Sequence, residues 1–132
     1  MTAEQALADL TEISSQVEAA ALFDAKGKVA ASTLADSEPF VRAVQELLAA
    51  AADARQGSLN QLEASTLAGS LFVVRDGDSY IAATTGPDPT VALVFYDLKT
   101  ALRASASEPA RRKAAPRRRA PKKKQEVDGD AA

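Results

Sequence analysis

The side chains that do most protein chemistry are missing from this 132-residue chain, which has no histidine and no cysteine. Imidazole proton transfer, thiolate nucleophiles, disulfides and the commonest nitrogen and sulfur metal ligands are therefore excluded. What remains are carboxylates and cations. Asp76-Gly77-Asp78 has the look of a calcium loop, but the EF-hand spacing and its distant Glu are absent, so it reads as a turn. Asp24 and Asp36 stand beside turn and helix-start signals and read as turn and cap residues, not as paired catalytic acids. Gly86-Pro87-Asp88-Pro89 lacks the Gly-rich run with Lys-Ser/Thr that cradles phosphate, so it reads as a helix entry and no nucleotide binding is expected. Arg42, Arg55, Arg75 and Arg103 read as ordinary surface cations outside any finger-like motif. No catalytic residue, metal site or cofactor is expected, and the chain reads as a protein that works by contact.

Charge divides the chain in two. Residues 1–105 carry seven Lys/Arg against fourteen Asp/Glu, a net of −7, and residues 106–132 carry nine against four, a net of +5. The basic part holds Pro109, Pro116 and Pro121 and no large apolar residue except Val127. Nothing there offsets the entropy of ordering the chain, so residues 106–132 are expected to form a disordered tail behind a domain spanning 1–105. Its clusters are Arg111-Arg112-Lys113, Arg117-Arg118-Arg119 and Lys122-Lys123-Lys124. Three readings fit: a nucleic-acid arm gripping phosphate, a polybasic segment on anionic lipid, or a solvated tail that touches an acidic partner. No aromatic interleaves the cations, which speaks against base stacking.

The domain must place its contact surface with elements legible in the pattern. Its hydrophobic content of 46% permits a packed core, and aromatics at 5% leave that core to small and branched aliphatics. Thr2 and Gln5 have capping-box spacing, and Leu7, Leu10, Ile13 and Val17 follow as the stripe of a first helix ending near Ser15. Ala19–Phe23 lacks alternation and suits a strand covered on both faces, although Ala19–Leu22 could also prolong the helix. The Asp24-x-x-Gly27 turn and β-branched Val29 favour a hairpin returning through Lys28–Ser32. Asp36 and Ser37 are candidate caps, and Pro39 a first-turn residue, for a long Ala-rich helix over Phe40–Gln56.

Leu59–Ser65 then alternates like a half-buried strand. Leu71–Val74 is the strongest strand signal, Asp76-Gly77 a hairpin turn, and Tyr80–Thr84 the return. Asp88 and Pro89 are expected to open a last helix with Val91, Val94, Phe95, Leu98 and Leu102 as its stripe. The order α-β-β-α-β-β-β-α implies an α+β fold, a five-stranded, mostly antiparallel sheet with helices on both faces.

Several of these segments, taken in order, resemble the Roadblock/dynein light chain family. Glu12–Ala20 running into Leu22-Phe23-Asp24-Ala25-Lys26-Gly27-Lys28-Val29-Ala30-Ala31-Ser32 is similar to that family's opening helix and hairpin. Leu71–Tyr80 is similar to its later hairpin, and Val91–Arg103 to its terminal helix as found in bacterial members. The resemblance covers about residues 3–104 and says nothing of the tail. It implies a small non-catalytic homodimer, with sheets joined through the strand after the long helix and the two long helices side by side. It implies a role beside small Ras-like GTPases, for which the bacterial gliding-motility member is a GTPase-activating partner.

On the residues themselves, Leu59–Ser65 is a plausible sheet edge, and an open edge invites another strand, although Gln61 and Glu63 could instead protect a monomer. Val41 and Leu48 are expected to cover the protomer's own sheet, and the Ala row beside them to meet a partner helix. The expected dimer interface is Phe40, Val44, Leu47, Ala51, Gln61, Leu62, Glu63 and Ala64. The expected partners are a second copy and a small Ras-like GTPase, with nucleic acid or another anionic partner for the tail. A nucleic-acid-associated protein is the alternative reading. A small-molecule sensor is a third, which would need a pocket with converging polar groups. No signal-peptide run, lipidation signal or membrane-spanning stretch occurs, and the absence of cysteine fits the cytoplasm.

Overall fold

The structure, a computed structural model, describes residues 1–114, with side chains through residue 105. The elements are α1 (Ala3–Ile13), β1 (Val17–Asp24), β2 (Val29–Ser32), α2 (Glu38–Arg55), β3 (Gln61–Ser65), β4 (Ser70–Asp76), β5 (Ser79–Thr85) and α3 (Val91–Ala114). The strands form one sheet in the order β2-β1-β5-β4-β3, and every neighbouring pair is antiparallel. The expected α+β architecture is therefore present.

Small residues occupy the middle of the sheet and let helices approach both faces. Ala20 pairs with Ala83 and Ala21 with Ala82, all fully buried. On one face Ala20, Leu22, Phe72, Val74, Ile81 and Ala83 meet Leu7 and Leu10 of α1 and Val94, Leu98 and Leu102 of α3. Phe95 of α3 packs edge-on against Phe72 at 5.0 Å between ring centroids. On the other face Ala21, Phe23, Val73 and Ala82 meet only Val41 and Val44 as buried residues of α2.

Local chemistry accounts for most element ends. The Thr2 hydroxyl accepts from the Gln5 backbone N–H at 3.1 Å, and the Gln5 side-chain Oε1 accepts from the Thr2 N–H at 2.9 Å, so the capping box forms. The Asp24 carboxylate accepts the backbone N–H groups of Lys26 and Lys28, each at 2.9 Å, while Gly27 turns the hairpin at φ 87°. Gly77 does the same at φ 63° between β4 and β5.

Four sequence expectations need correction. The chain leaves the helix at Ser14, whose φ of −95° and ψ of 113° are extended, so Ile13 ends 71% exposed and Val17 belongs to β1. Ser37 stands at the N-cap of α2, but its side chain makes no capping bond. The edge strand begins at Gln61, and Asn60 just before it accepts the Arg75 N–H at 2.8 Å in the same register. Asp88 does not cap α3: it precedes Pro89, which disfavours the helical region, and takes φ 58° instead. The helix starts at Val91, and the Thr90 N–H just before it donates to the Gln16 side chain at 2.6 Å.

At its far end α3 runs to Ala114, beyond the composition change near residue 105. Ala, Glu, Arg and Lys are strong helix formers, and they outweigh the break signalled by Pro109. The clusters Arg117–Arg119 and Lys122–Lys124 lie outside the described residues.

Two outcomes follow from the turns. Gly69 has φ 155°, and a Cβ there would stand 2.1 Å from the Thr85 carbonyl oxygen, so Gly69→Ala is expected to cost about 3 kcal/mol or more in urea unfolding. The hydrogen bond from the Lys28 N–H, joined by that from Lys26, holds the Asp24 carboxyl below its ordinary 3.8. A folded-state value below the unfolded one stabilises the fold above about pH 3.8, and that stabilisation fades as pH falls through the folded value. Asp24→Asn is therefore expected to be less stable than the parent at neutral pH. The gap should close below that pH in thermal melts.

Candidate interaction surface

The surface around α2 and β3 is set by which side chains α2 spends on its own sheet. At 100° per residue Val41, Val44 and Leu48 fall on one line and face the sheet. Phe40, Leu47 and Ala51 form the adjoining flank, and Ala43, Ala50 and Ala54 lie further round, exposed. Pairing places Leu62 opposite Val73 and Ala64 opposite Leu71, so Leu62, Ala64 and Leu71 share the α2 face of the sheet. All three are only half-buried there.

The expected interface residues thus separate into groups. Val44, 2% exposed, is a core residue of the protomer and has no surface to offer a partner, which corrects its assignment. The line Phe40-Val44-Leu47-Ala51 crosses from the open side of the helix to the side that meets the sheet, and Val44 is the member on the sheet side. Phe40 and Leu62 are half-buried against the same core and keep an outward part. Leu47, 36% exposed, and half-buried Ala51 remain available.

Gln61 and Glu63 are exposed on the opposite face, paired with Val74 and Phe72. The Ser65 hydroxyl donates to the Glu63 carboxylate beside that edge. Phe40 of the apolar α2 flank and Leu62 of β3 thus pack on one core cluster on the α2 side, with polar residues of β3 on the other. The opposite edge, β2, has four residues and no comparable flank. Of the basic tail residues, Arg111, Arg112 and Lys113 fall within the span of α3, and Arg117–Arg119 and Lys122–Lys124 lie outside the described residues.

Sequence reasoning missed Arg75. Leu71, Val73 and Arg75 alternate onto the α2 face of β4, and Arg75 carries its guanidinium into the space under the C-terminal half of α2. Its Nε is buried and has no hydrogen-bond partner. The alternation of β4 was the available signal, since every second residue of the strand faces α2 and Arg75 falls on that phase. Among the described residues no group of three or more acidic side chains is placed to hold a metal ion, and no helix is long and apolar enough to cross a membrane.

No family profile and no curated protein matches the chain by sequence. Solved structures match its shape. A Roadblock/LC7 domain from Streptomyces avermitilis superimposes with a TM-score of 0.72 at 15% identity, covering 83% of this chain and 99% of that one. The gliding protein MglB from Thermus thermophilus gives 0.68 at 17% identity, over 78% and 84% of the two chains. An MglB with a tetrameric arrangement gives 0.66 at 18% identity, over 78% and 86%. The chain has the Roadblock fold.

The two helix positions separate core from surface in solution. Val44→Ala is expected to cost roughly 2 kcal/mol in urea unfolding, and Leu47→Ala under about 0.5 kcal/mol when the protein is dilute enough to be monomeric.

Proposed function

We propose that this protein is a non-catalytic, cytoplasmic homodimer that serves as adaptor or regulator of a small Ras-like GTPase. The observation that carries the proposal is the incompletely covered strip made by Phe40, Leu47 and Ala51 of α2 and Leu62, Ala64 and Leu71 of the sheet, next to the open edge of β3. A second copy paired through β3 satisfies the outward N–H and C=O groups of the edge and brings the Ala-lined sides of two α2 helices together. The Roadblock fold supports this arrangement, as does the tetrameric arrangement of one MglB with that fold.

The role beside a GTPase rests on the family resemblance, and the match to the gliding protein MglB supports it. Such a dimer would act by presenting helices and sheet to the GTPase. Any acceleration of hydrolysis would come from repositioning the GTPase's own groups, because this chain carries no motif for the chemistry. The tail from residue 115 onward is read as an accessory to this contact, its cations drawn to an acidic surface.

Sedimentation of the full chain at micromolar concentration is expected to give twice the protomer mass, and Leu47→Arg to give a single protomer with an unchanged circular dichroism spectrum. Small Ras-like GTPases from the same genome, loaded with GDP or a non-hydrolysable GTP analogue, are expected to bind the parent and to bind Leu47→Arg at least about tenfold more weakly. A parent chain that sediments as one protomer would refute the dimer. Equal GTPase binding by parent and variant would refute the helix surface. A salt-sensitive DNA shift lost on deletion of residues 115–132, with no GTPase bound, would favour the nucleic-acid reading.

A further inference from the structure

The cleft beneath the C-terminal half of α2 has the makings of a binding site that the contact role does not use. It encloses about 230 Å³ between α2 and the end of the sheet, with Phe23, Asp24, Gln45, Leu48, Arg75 and Tyr80 among its walls. It lies on the flank of α2 that carries Gln45, Ala49 and Ala52, away from the Phe40-Leu47-Ala51 flank. Occupancy of one surface therefore leaves the other free.

Arg75 is the feature that needs explaining. A guanidinium is charged at every accessible pH and presents five N–H donors. The Arg75 Nε is sealed from solvent and bonds to nothing, and the side chain forms no ion pair among the described residues. An unmet buried donor costs about 1–3 kcal/mol, more when charged, and folded proteins keep few of them.

The neighbouring groups are also under-used. Gln45 makes one long bond, Nε2 to the Ala25 carbonyl at 3.4 Å. The hydroxyls of Ser58 and Tyr80 have no hydrogen-bond partner among the described residues. Other parts of the wall are apolar: the Phe23 and Tyr80 rings, stacked at 5.4 Å, and Leu48 with Leu59.

We infer that this cleft binds a small organic acid, its carboxylate taken by the Arg75 fork and its apolar body set against Leu48, Leu59 and the Phe23–Tyr80 pair. Planar bidentate pairing is what a guanidinium does best with a carboxylate. The volume holds a molecule of roughly ten heavy atoms, below the ordinary range for drug-sized ligands. Asp24 lines the same cleft and keeps its negative charge, which disfavours a multiply charged phosphate and leaves a single carboxylate as the fitting anion.

Benzoate is a suitable probe, and the test is a titration of the isotope-labelled full chain followed by amide NMR shifts. Saturable shifts are expected at Gln45, Ser58, Arg75 and Tyr80, with inorganic phosphate giving none that saturate. Arg75→Met is expected to weaken benzoate binding roughly ten- to a hundredfold, the loss of a charge-assisted pair. Its melting temperature should equal or exceed the parent's, because the substitution removes an unmet buried donor. Tyr80→Phe, which keeps the stacked ring and removes the hydroxyl, should also bind more weakly. The inference is overturned if benzoate gives no saturable shifts, if Arg75→Met binds as the parent does, if phosphate binds as well as benzoate, or if Arg75→Met melts well below the parent.

Discussion

A single helix is too narrow for the sheet it must cover. Five strands spaced about 4.8 Å apart make a surface on the order of 20 Å wide, while a helix with its side chains is roughly 10 Å across. One face of the sheet solves this with two helices, α1 and α3, whose leucines and valines close over Phe72 and Ile81. The other face has α2 alone. Val41 and Val44 seat it over Ala21 and Ala82 near the middle of the sheet, where small residues allow close approach. What lies beyond its reach, toward β3, stays half-covered.

Both candidate surfaces descend from that shortfall, on different flanks of the same helix. On the β3 side the uncovered strip is apolar and adjoins an open strand edge, so a second sheet and a second helix complete the layer that one protomer leaves unfinished. Toward the C-terminus of α2 the helix presents Ala49 and Ala52, which are too small to fill the gap above Phe23, Tyr80 and Arg75. The chain then leaves the helix through Gln56 in the left-handed conformation and passes Ser58 and Leu59 on its way to β3, closing the gap into a cleft. The small side chains of α2 therefore bear on both a contact strip and a small cavity.

Much of the fold was legible because its signals are local. The capping box at Thr2, the Asp24 and Asp76 turns and the apolar run of β4 each act within a few residues, and each appears in the structure as the pattern implies. The misplacements lie where a local signal competes with a distant one. Asp88 has the residue type of a cap, yet the start of α3 is held from the other end of the chain by Gln16. Ile13 continues a helical stripe, yet the backbone has already turned toward β1, and the side chain is left in solvent.

The amino-acid sequence by itself determined the kind of protein this is: which elements form and in what order, and that no histidine or cysteine chemistry is available. Helix and strand periods are properties of neighbouring residues and survive without knowledge of the fold. Only the tertiary structure decided which residues those elements spend inward. Val44 went to the core and Leu47 to the surface because β5 lies between β1 and β4, which fixes where α2 can sit. The Nε of Arg75 was sealed under α2 for the same reason. Strand order comes from pairing between residues some sixty positions apart, such as Ala20 with Ala83, and no short window of sequence contains that information.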